Sequence, residues 1–356
     1  GGAAEELAAS LVTGDVSATR QFRFKTYGQR FVIKGEQMAE RGERNKSYIR
    51  TAKLFLDNDE WGLIRQFGKK DVRDLKTRDW QLFIERLMKE RPDLSTSTRK
   101  MLMATFRNVL TIARDDGVID AVPATPTIRQ KDTPRAFFRF APLVSEERDE
   151  YKRLLAGAKE MAREGVTIRG VEVTDELYDV ILFCVHSFVR PTSSELYALK
   201  HDDITEEDNP KRLLVTIRSG KTGFTVVNTL SGAVYAYRRL RKRYPDAGDD
   251  DYIFFSNYFF SNYQNRSTAS RIFQRQFNVL LERTNLKHDP VTDSERSVYS
   301  LRHTAICMRI ILSHGKVNIL NLAKNAGTSV NQIERFYARS LPLSRELAKN
   351  LQSFGG

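Results

Sequence analysis

Cysteine is almost missing from this chain: there are two in 356 residues, Cys184 and Cys307. Each sits in an apolar stretch with helical recurrence. They are too few for a disulfide framework or a thiolate metal cage, and they read as reduced core residues of an intracellular protein. Long apolar runs are missing too. No stretch approaches the ~20 residues a membrane span needs, and no signal-peptide pattern is present, so no membrane partner is expected. A nucleotide-binding loop is also lacking. Gly220-Lys221-Thr222 imitates its tail, but the glycine required five residues earlier is Val215.

Negative charge is in short supply. Against 58 Lys+Arg stand 45 Asp+Glu, a formal charge of +13, while 40% of residues are hydrophobic. That is enough apolar material for a folded protein, which excludes a disordered basic tail. A folded and strongly basic chain points to a polyanionic partner, because each phosphate neutralised releases counterions. The length suggests two domains or a little more. The opening Gly1-Gly2-Ala3-Ala4 carries no methionine and reads as a trimmed start, with residues 1–20 a segment ahead of the first domain.

Residues 21–120 read as helices. Phe31, Ile33 and Met38, then Tyr48, Ile49, Ala52, Leu54, Phe55 and Leu56, recur with roughly helical spacing, as do Trp80, Leu82, Phe83, Leu87 and Met88. Ser95 and Thr96 offer N-caps to a helix with Met101, Leu102, Phe106, Val109, Leu110 and Ala113, ended by Asp115-Asp116-Gly117. Basic side chains mark the outer faces, among them Arg44, Lys46, Arg50, Lys53, Arg99 and Lys100. Residues 121–143 hold Pro123, Pro126, Pro134 and Pro142, a density that opposes helix and sheet and predicts a linker.

The second domain is expected over 144–340, with a tail at 341–356. Helices are predicted at 146–164, 175–189, 231–243, 267–284, 302–314, 316–325 and 330–338. Leu213–Ile217 and Phe224–Val227 flank Ser219-Gly220-Lys221-Thr222-Gly223, a strand–turn–strand signal. Phe-Ser-Asn-Tyr occurs at 255–258 and again at 260–263, too short a period for a structural repeat. The stretch Tyr252–Tyr263 reads as a buried strand running into a loop.

The chemistry concentrates in Ser300-Leu301-Arg302-His303-Thr304 and in Tyr337, within Ile333-Glu334-Arg335-Phe336-Tyr337. Arginine offers a planar, permanently charged fork that matches phosphodiester oxygens. Tyrosine offers a nucleophile that can hold the phosphate covalently, splitting one hard displacement into two easier ones. Upstream stand Val189-Arg190-Pro191 and Lys221. With Glu195-Leu196, Leu199-Lys200-His201-Asp202-Asp203-Ile204, Phe67-Gly68 and Ala113–Ile119, these residues resemble the tyrosine recombinases, the phage-integrase family, over nearly the whole chain from about residue 25.

The resemblance implies a mostly α fold with a small β-sheet. A helical, SAM-like core-binding domain and an α+β catalytic domain would close on DNA as a C-shaped clamp. It implies that Arg190 and Arg302 clamp the scissile phosphate, that Lys221 protonates the leaving 5′ oxygen, and that His303 is a supporting or acid/base group. Tyr337 would be the nucleophile, and Glu195 would stand behind Arg190. Two extra residues separate Arg190 from Glu195, so that loop must bulge. Tyr299 stands where the family often has histidine, and Thr328 where it has histidine or tryptophan. Threonine can donate a hydrogen bond but cannot act as acid or base near neutral pH, so proton transfer leans on Lys221 and His303. Each residue also has a plainer reading: a helix-end cation, a turn lysine, a cap, a packed aromatic.

The implied function is site-specific DNA recombination for a phage or mobile element, through a 3′-phosphotyrosine and without metal, ATP or other cofactor. The implied partners are duplex DNA attachment sites, a Holliday junction, three further copies in a tetramer exchanging the 341–356 tail, and DNA-bending accessory proteins. The implied place is the bacterial cytoplasm, at the nucleoid. A type IB topoisomerase-like enzyme shares the chemistry, and a catalytically inactive DNA-binding regulator could share the fold.

Overall fold

The computed structural model describes residues 21–126, 128, 134–221, 223–256, 265–314 and 316–337. The chain divides into two compact units, Gly1–Lys131 and Asp132–Gly356. The 341–356 tail, the second Phe-Ser-Asn-Tyr and residues 1–20 lie outside the described residues.

The first unit contains helices α1 (Phe24–Glu40), α2 (Lys46–Asp57), α3 (Leu63–Phe67), α4 (Thr77–Glu90) and α5 (Thr96–Asp115). Helix α5 shows how the sequence writes them. The Ser95 hydroxyl accepts from Thr98 N at 3.1 Å, satisfying one of the orphan amides of the first turn. Leu102, Phe106, Val109, Leu110 and Ala113 bury one stripe, and Gly117, at φ 73°, closes the end where only glycine is unstrained. Around Phe106 an aromatic core assembles, with Trp80 at 4.9 Å and Phe67 at 5.1 Å between ring centroids. Tilted ring pairs of this kind add to the plain burial of area.

The second unit follows with α6 (Glu150–Arg163), the ribbon β1–β2 (Thr167–Ile168, Val171–Glu172) and α7 (Glu176–Ser187). A three-stranded antiparallel sheet in order β3-β4-β5 (Ile204–Asp208, Lys211–Gly220, Gly223–Asn228) comes next. Then come α8 (Ser231–Arg243), α9 (Arg266–Arg283), the ribbon β6–β7 (His288–Asp289, Ser294–Glu295) and α10 (Tyr299–Leu312). The described part ends with α11 (Ile319–Asn325) and α12 (Val330–Phe336). This mostly helical architecture with small sheets is the fold class expected. Among the described residues no helix is long and apolar enough to cross a membrane.

The largest departure concerns the proline-rich stretch. Residues 121–143 were expected to be linker, yet Phe137, Phe138 and Phe140 are buried in the core of the second unit. Phe138 N–H donates to Thr304 Oγ1 at 2.9 Å, and its ring meets Phe277 edge-on at 6.2 Å. Arg296, 1% exposed, donates from Nε to Phe137 O at 3.1 Å and from Nη2 to Glu150 Oε2 at 2.7 Å. Prolines forbid regular pairing, but they do not prevent three phenylalanines from finding a core.

Smaller departures have local causes. The helix expected from 146 is a 3₁₀ turn, Glu146–Arg148, after which Asp149 caps α6 by accepting from Lys152 N at 2.7 Å. Tyr252–Phe255 is no strand: it makes one isolated bridge, Lys200 with Tyr252, while Ile253, Phe254 and Phe255 pack inward. Helix α10 starts at Tyr299, earlier than 302, and α11 is shorter than 316–325.

Phe138→Ala should destabilise the second unit by about 3–5 kcal/mol, the cost of emptying a phenylalanine site in a packed core. Chemical denaturation measures it. A change under about 0.5 kcal/mol, typical of exposed linker positions, would return the segment to the linker class.

Candidate active site

Separate parts of the second unit converge on one cleft of ≈ 1250 Å³. Its walls include Arg190 from the turn after α7, Lys221 from the β4–β5 hairpin, and Tyr299, Arg302 and His303 from α10. Thr328 and Tyr337 complete it from the turns flanking α12. Glu195 stands behind the wall, 4% exposed.

Arg302 is the anchor. Its guanidinium is 5% exposed and donates to two main-chain carbonyls, Phe188 O from Nη1 and Ala326 O from Nη2. Phe188 ends α7 in the left-handed region at φ 61°, and Gly327 turns the chain after Ala326 at φ 56°. Burial, and then the like charge of Arg190, pull Arg302 down to about 10, still far enough above neutrality to keep the cation. These bonds occupy two of the five guanidinium N–H groups, which leaves donors for an anion.

Arg190 is held at the start of a tight turn. Thr192 N–H and Leu196 N–H both donate to Arg190 O, at 2.8 and 3.2 Å, curling residues 190–196 into a tight turn. The turn returns Glu195 to Arg190, whose Nη1 donates to Oε1 at 2.8 Å. The same carboxylate oxygen accepts from Lys221 N at 3.1 Å, so one buried acid places the first arginine and the lysine hairpin together. Arg190 Nη2 donates to Gly327 O, the carbonyl next to the one Arg302 holds. Lys221 is exposed in the β4–β5 hairpin.

Tyr337 is buried, 7% exposed, directly after α12. Its hydroxyl lies 2.7 Å from His303 Nδ1. Burial pushes the phenol up to about 12, opposed by Arg302 and Arg135, so it carries its proton at neutral pH. His303 moves the other way. Burial, then the charges of Arg135 and Arg302, draw it down to about 3, and a neutral imidazole results. A phenol donor and a neutral imidazole acceptor assign the pair: Tyr337 Oη donates to Nδ1, and Nε2 carries the ring proton. Tyr299, 40% exposed, begins α10 with its ring centroid 6.1 Å from that of His303. Thr328 is half-buried, its N–H donating to Ala323 O at 2.9 Å.

Sequence reading missed two parts of this site. Arg135 lines the cleft from the supposed linker, and no motif marks it. The Phe188, Ala326 and Gly327 carbonyls leave no trace in side-chain identity at all. The expected basic residues of the first unit are described within that unit. Lys46, Arg50 and Lys53 are exposed along α2 at helical spacing, with Lys53 paired to Glu36 at 3.0 Å. Arg44 lies over the Tyr48 ring at 4.7 Å, and Arg99 and Lys100 are half-buried on the first turns of α5.

His303 makes a stability prediction whose sign is fixed. Its folded value lies below the ordinary 6.5, so protons favour the unfolded chain as the pH drops through that range. Its contribution is intact above about 6.5 and is lost toward 3; buried His186, drawn down to about 4, acts in the same direction. His303→Gln should therefore lose less stability than the parent protein between about pH 7 and about pH 5. Urea unfolding at the two pH values reads the difference, and equal losses would show that His303 is not held neutral.

Comparison with known proteins gives no match to a family model and none to a curated protein sequence. Solved structures do match. The Tn1549 transposon integrase (residues 82–397), determined with circular intermediate DNA, is 16% identical with a TM-score of 0.60. The match covers 94% of this chain and 100% of that one. A lambda integrase dimer on a core site, residues 75–356, is 14% identical with a TM-score of 0.61, covering 89% and 97%. A lambda integrase tetramer bound to a Holliday junction is 13% identical at 0.60, covering 89% of this chain and 78% of that one. At such identities the likeness is one of architecture, and this chain has the tyrosine recombinase fold.

Proposed function

We propose that the protein is a tyrosine-type site-specific DNA recombinase, cutting and rejoining duplex DNA through a 3′-phosphotyrosine at Tyr337. The observation that carries this reading is the 2.7 Å contact between Tyr337 Oη and His303 Nδ1 in a cleft walled by Arg190, Arg302 and Lys221. A protonated phenol needs a base to become a nucleophile, and a neutral imidazole stands in hydrogen-bond reach.

The steps balance on this chain's own groups. Arg190 and Arg302 bind the non-bridging oxygens and stabilise the charge that gathers at phosphorus. Tyr337 Oη bonds to phosphorus and passes its proton to His303 Nδ1. The bond from phosphorus to O5′ breaks, and Lys221 Nζ gives that oxygen a proton. In rejoining, a 5′ hydroxyl attacks the phosphotyrosine, its proton returns to Lys221, and His303 returns a proton to the departing Tyr337. Bond energy is conserved throughout, so the chemistry calls on no ATP, and the two arginines supply the charge that a metal would otherwise bring.

The same reading assigns the helical unit, residues 21–120, to core DNA, with Arg44, Lys46, Arg50, Lys53, Arg99 and Lys100 on phosphates. Neighbours solved with a circular intermediate and with a Holliday junction support strand exchange by four copies, for a mobile element. A cytoplasmic site of action at the nucleoid follows from that substrate. Exchange of the 341–356 tail between copies, and DNA-bending helpers, belong to the proposal as well.

Tyr337→Phe should keep DNA affinity within about twofold yet form no covalent complex, because only the nucleophilic oxygen is lost. Denaturing gels with labelled nicked sites test it; an adduct surviving in this variant would move the nucleophile to Tyr299. Lys221→Ala should slow cleavage of normal DNA by about 10²–10⁴, the usual worth of a general acid. Replacing the 5′ oxygen by sulfur should restore the rate, since thiolate leaves without a proton. No rescue would take the leaving-group proton away from Lys221.

A further inference from the structure

We propose that Arg135 is the positioning residue for the nucleophile, clamping the C-terminal end of α12 so that Tyr337 stays seated on His303. The proposal rests on Tyr337 being the nucleophile. Helix α12 cannot hold that end by itself. It has seven residues, too few for an independent helix, and within it only Ile333 is buried.

Arg135 adds to the packing of Phe336 and Tyr337 a hold of two kinds. Its main-chain N–H donates to Phe336 O at 3.3 Å, and its guanidinium lies over the Phe336 ring at 4.4 Å from the centroid. Phe336 immediately precedes Tyr337. Arg335 also approaches that ring, at 5.3 Å, from within α12 itself.

The clamp is fixed at its other end. Three residues on, Phe138 N–H donates to Thr304 Oγ1, and Thr304 follows His303 on α10. A closed frame results: Thr304 holds Phe138, Arg135 holds Phe336, and Tyr337 meets His303, so the frame returns to α10 one residue from where it began. Buried Arg296 braces it by donating to Phe137 O. Moving Arg135 would open the frame on the side of the tyrosine.

Charge adds a second effect. Tyr337 is faced from α10 by Arg302, His303, Tyr299 and Cys307, and from the lead-in segment by Arg135. Asp293 lines the cleft from the β6–β7 turn and Glu295 from β7. Arg135 is exposed, has no ion pair among the described residues, and favours both the tyrosinate and the neutral imidazole. Exposure screens this effect, so the expected shift is modest.

The test uses the full chain with 3-fluorotyrosine at position 337, titrated by ¹⁹F NMR without DNA, beside cleavage kinetics of the same variants. Arg135→Ala should raise the titration midpoint at 337. It should also slow adduct formation about tenfold at saturating DNA, with half-saturation changed less than about threefold. Arg135→Lys should restore the midpoint but only part of the rate, because an ammonium does not stack as a planar guanidinium does. Phe336→Leu should keep the midpoint and slow the reaction. The clamp is overturned if Arg135→Ala, with an unchanged melting temperature, leaves midpoint and rate as in the parent, or loses DNA affinity alone. If the parent chain forms no adduct at all, the nucleophile reading fails, and an unmoved midpoint at 337 would sink the clamp with it.

Discussion

A guanidinium that keeps its charge at neutral pH is held almost out of water in the second unit. For Arg302 this is costly unless dipoles replace the lost hydration. The replacement is not a carboxylate but two carbonyls, Phe188 O and Ala326 O. Both come from the C-terminal ends of helices, where carbonyls are not consumed by the helix. Satisfying Arg302 therefore pulls the end of α7 and the α11–α12 turn onto α10. Those are the segments that carry Arg190, Thr328 and, seven residues of helix later, Tyr337. Because carbonyls neutralise nothing, the site keeps its positive charge for an anion to meet.

A second buried arginine in the same unit shows what a purely structural one looks like. Arg296 donates to the Phe137, Leu286 and His288 carbonyls and to the Glu150 carboxylate, with Asp289 also close at 3.6 Å. Its charge is answered by acids, and four of its five donors are spent. The contrast separates scaffold from site more sharply than burial does, since both side chains are nearly inaccessible. Arg296 has a role all the same. It fixes the 137–139 backbone on which the frame around Tyr337 depends.

Much of this was legible in the residues. Ser95 and Gly117 bracket α5 because caps act over three or four residues, within the reach of a sequence motif. The β4–β5 hairpin is signalled by Gly220 and Gly223 between β-branched runs. Arg302 and His303 announce themselves as an unusual pair on an apolar helix. What failed were places where two local signals compete. Proline density outvoted Phe137, Phe138 and Phe140, and the strand Ile204–Asp208 was missed because Thr-Glu-Glu-Asp has the composition of a loop. It pairs as the edge of the sheet, where charged side chains face solvent without penalty.

The sequence by itself determined the helical periodicity, the caps, the hairpin and the identity of the ionisable groups, because each is set by neighbours a few residues away. Only the tertiary structure decided what those groups are. His303 and Tyr337 are 34 positions apart, Arg190 and Gly327 are 137 apart, and no short-range rule relates them. Burial turns that histidine into a neutral acceptor and that phenol into a reluctant donor, and burial is a property of the packed core. Arg135 is the clearest case. In the chain it is one more basic residue after a proline, and it becomes the neighbour of Tyr337 only because three phenylalanines beside it leave water.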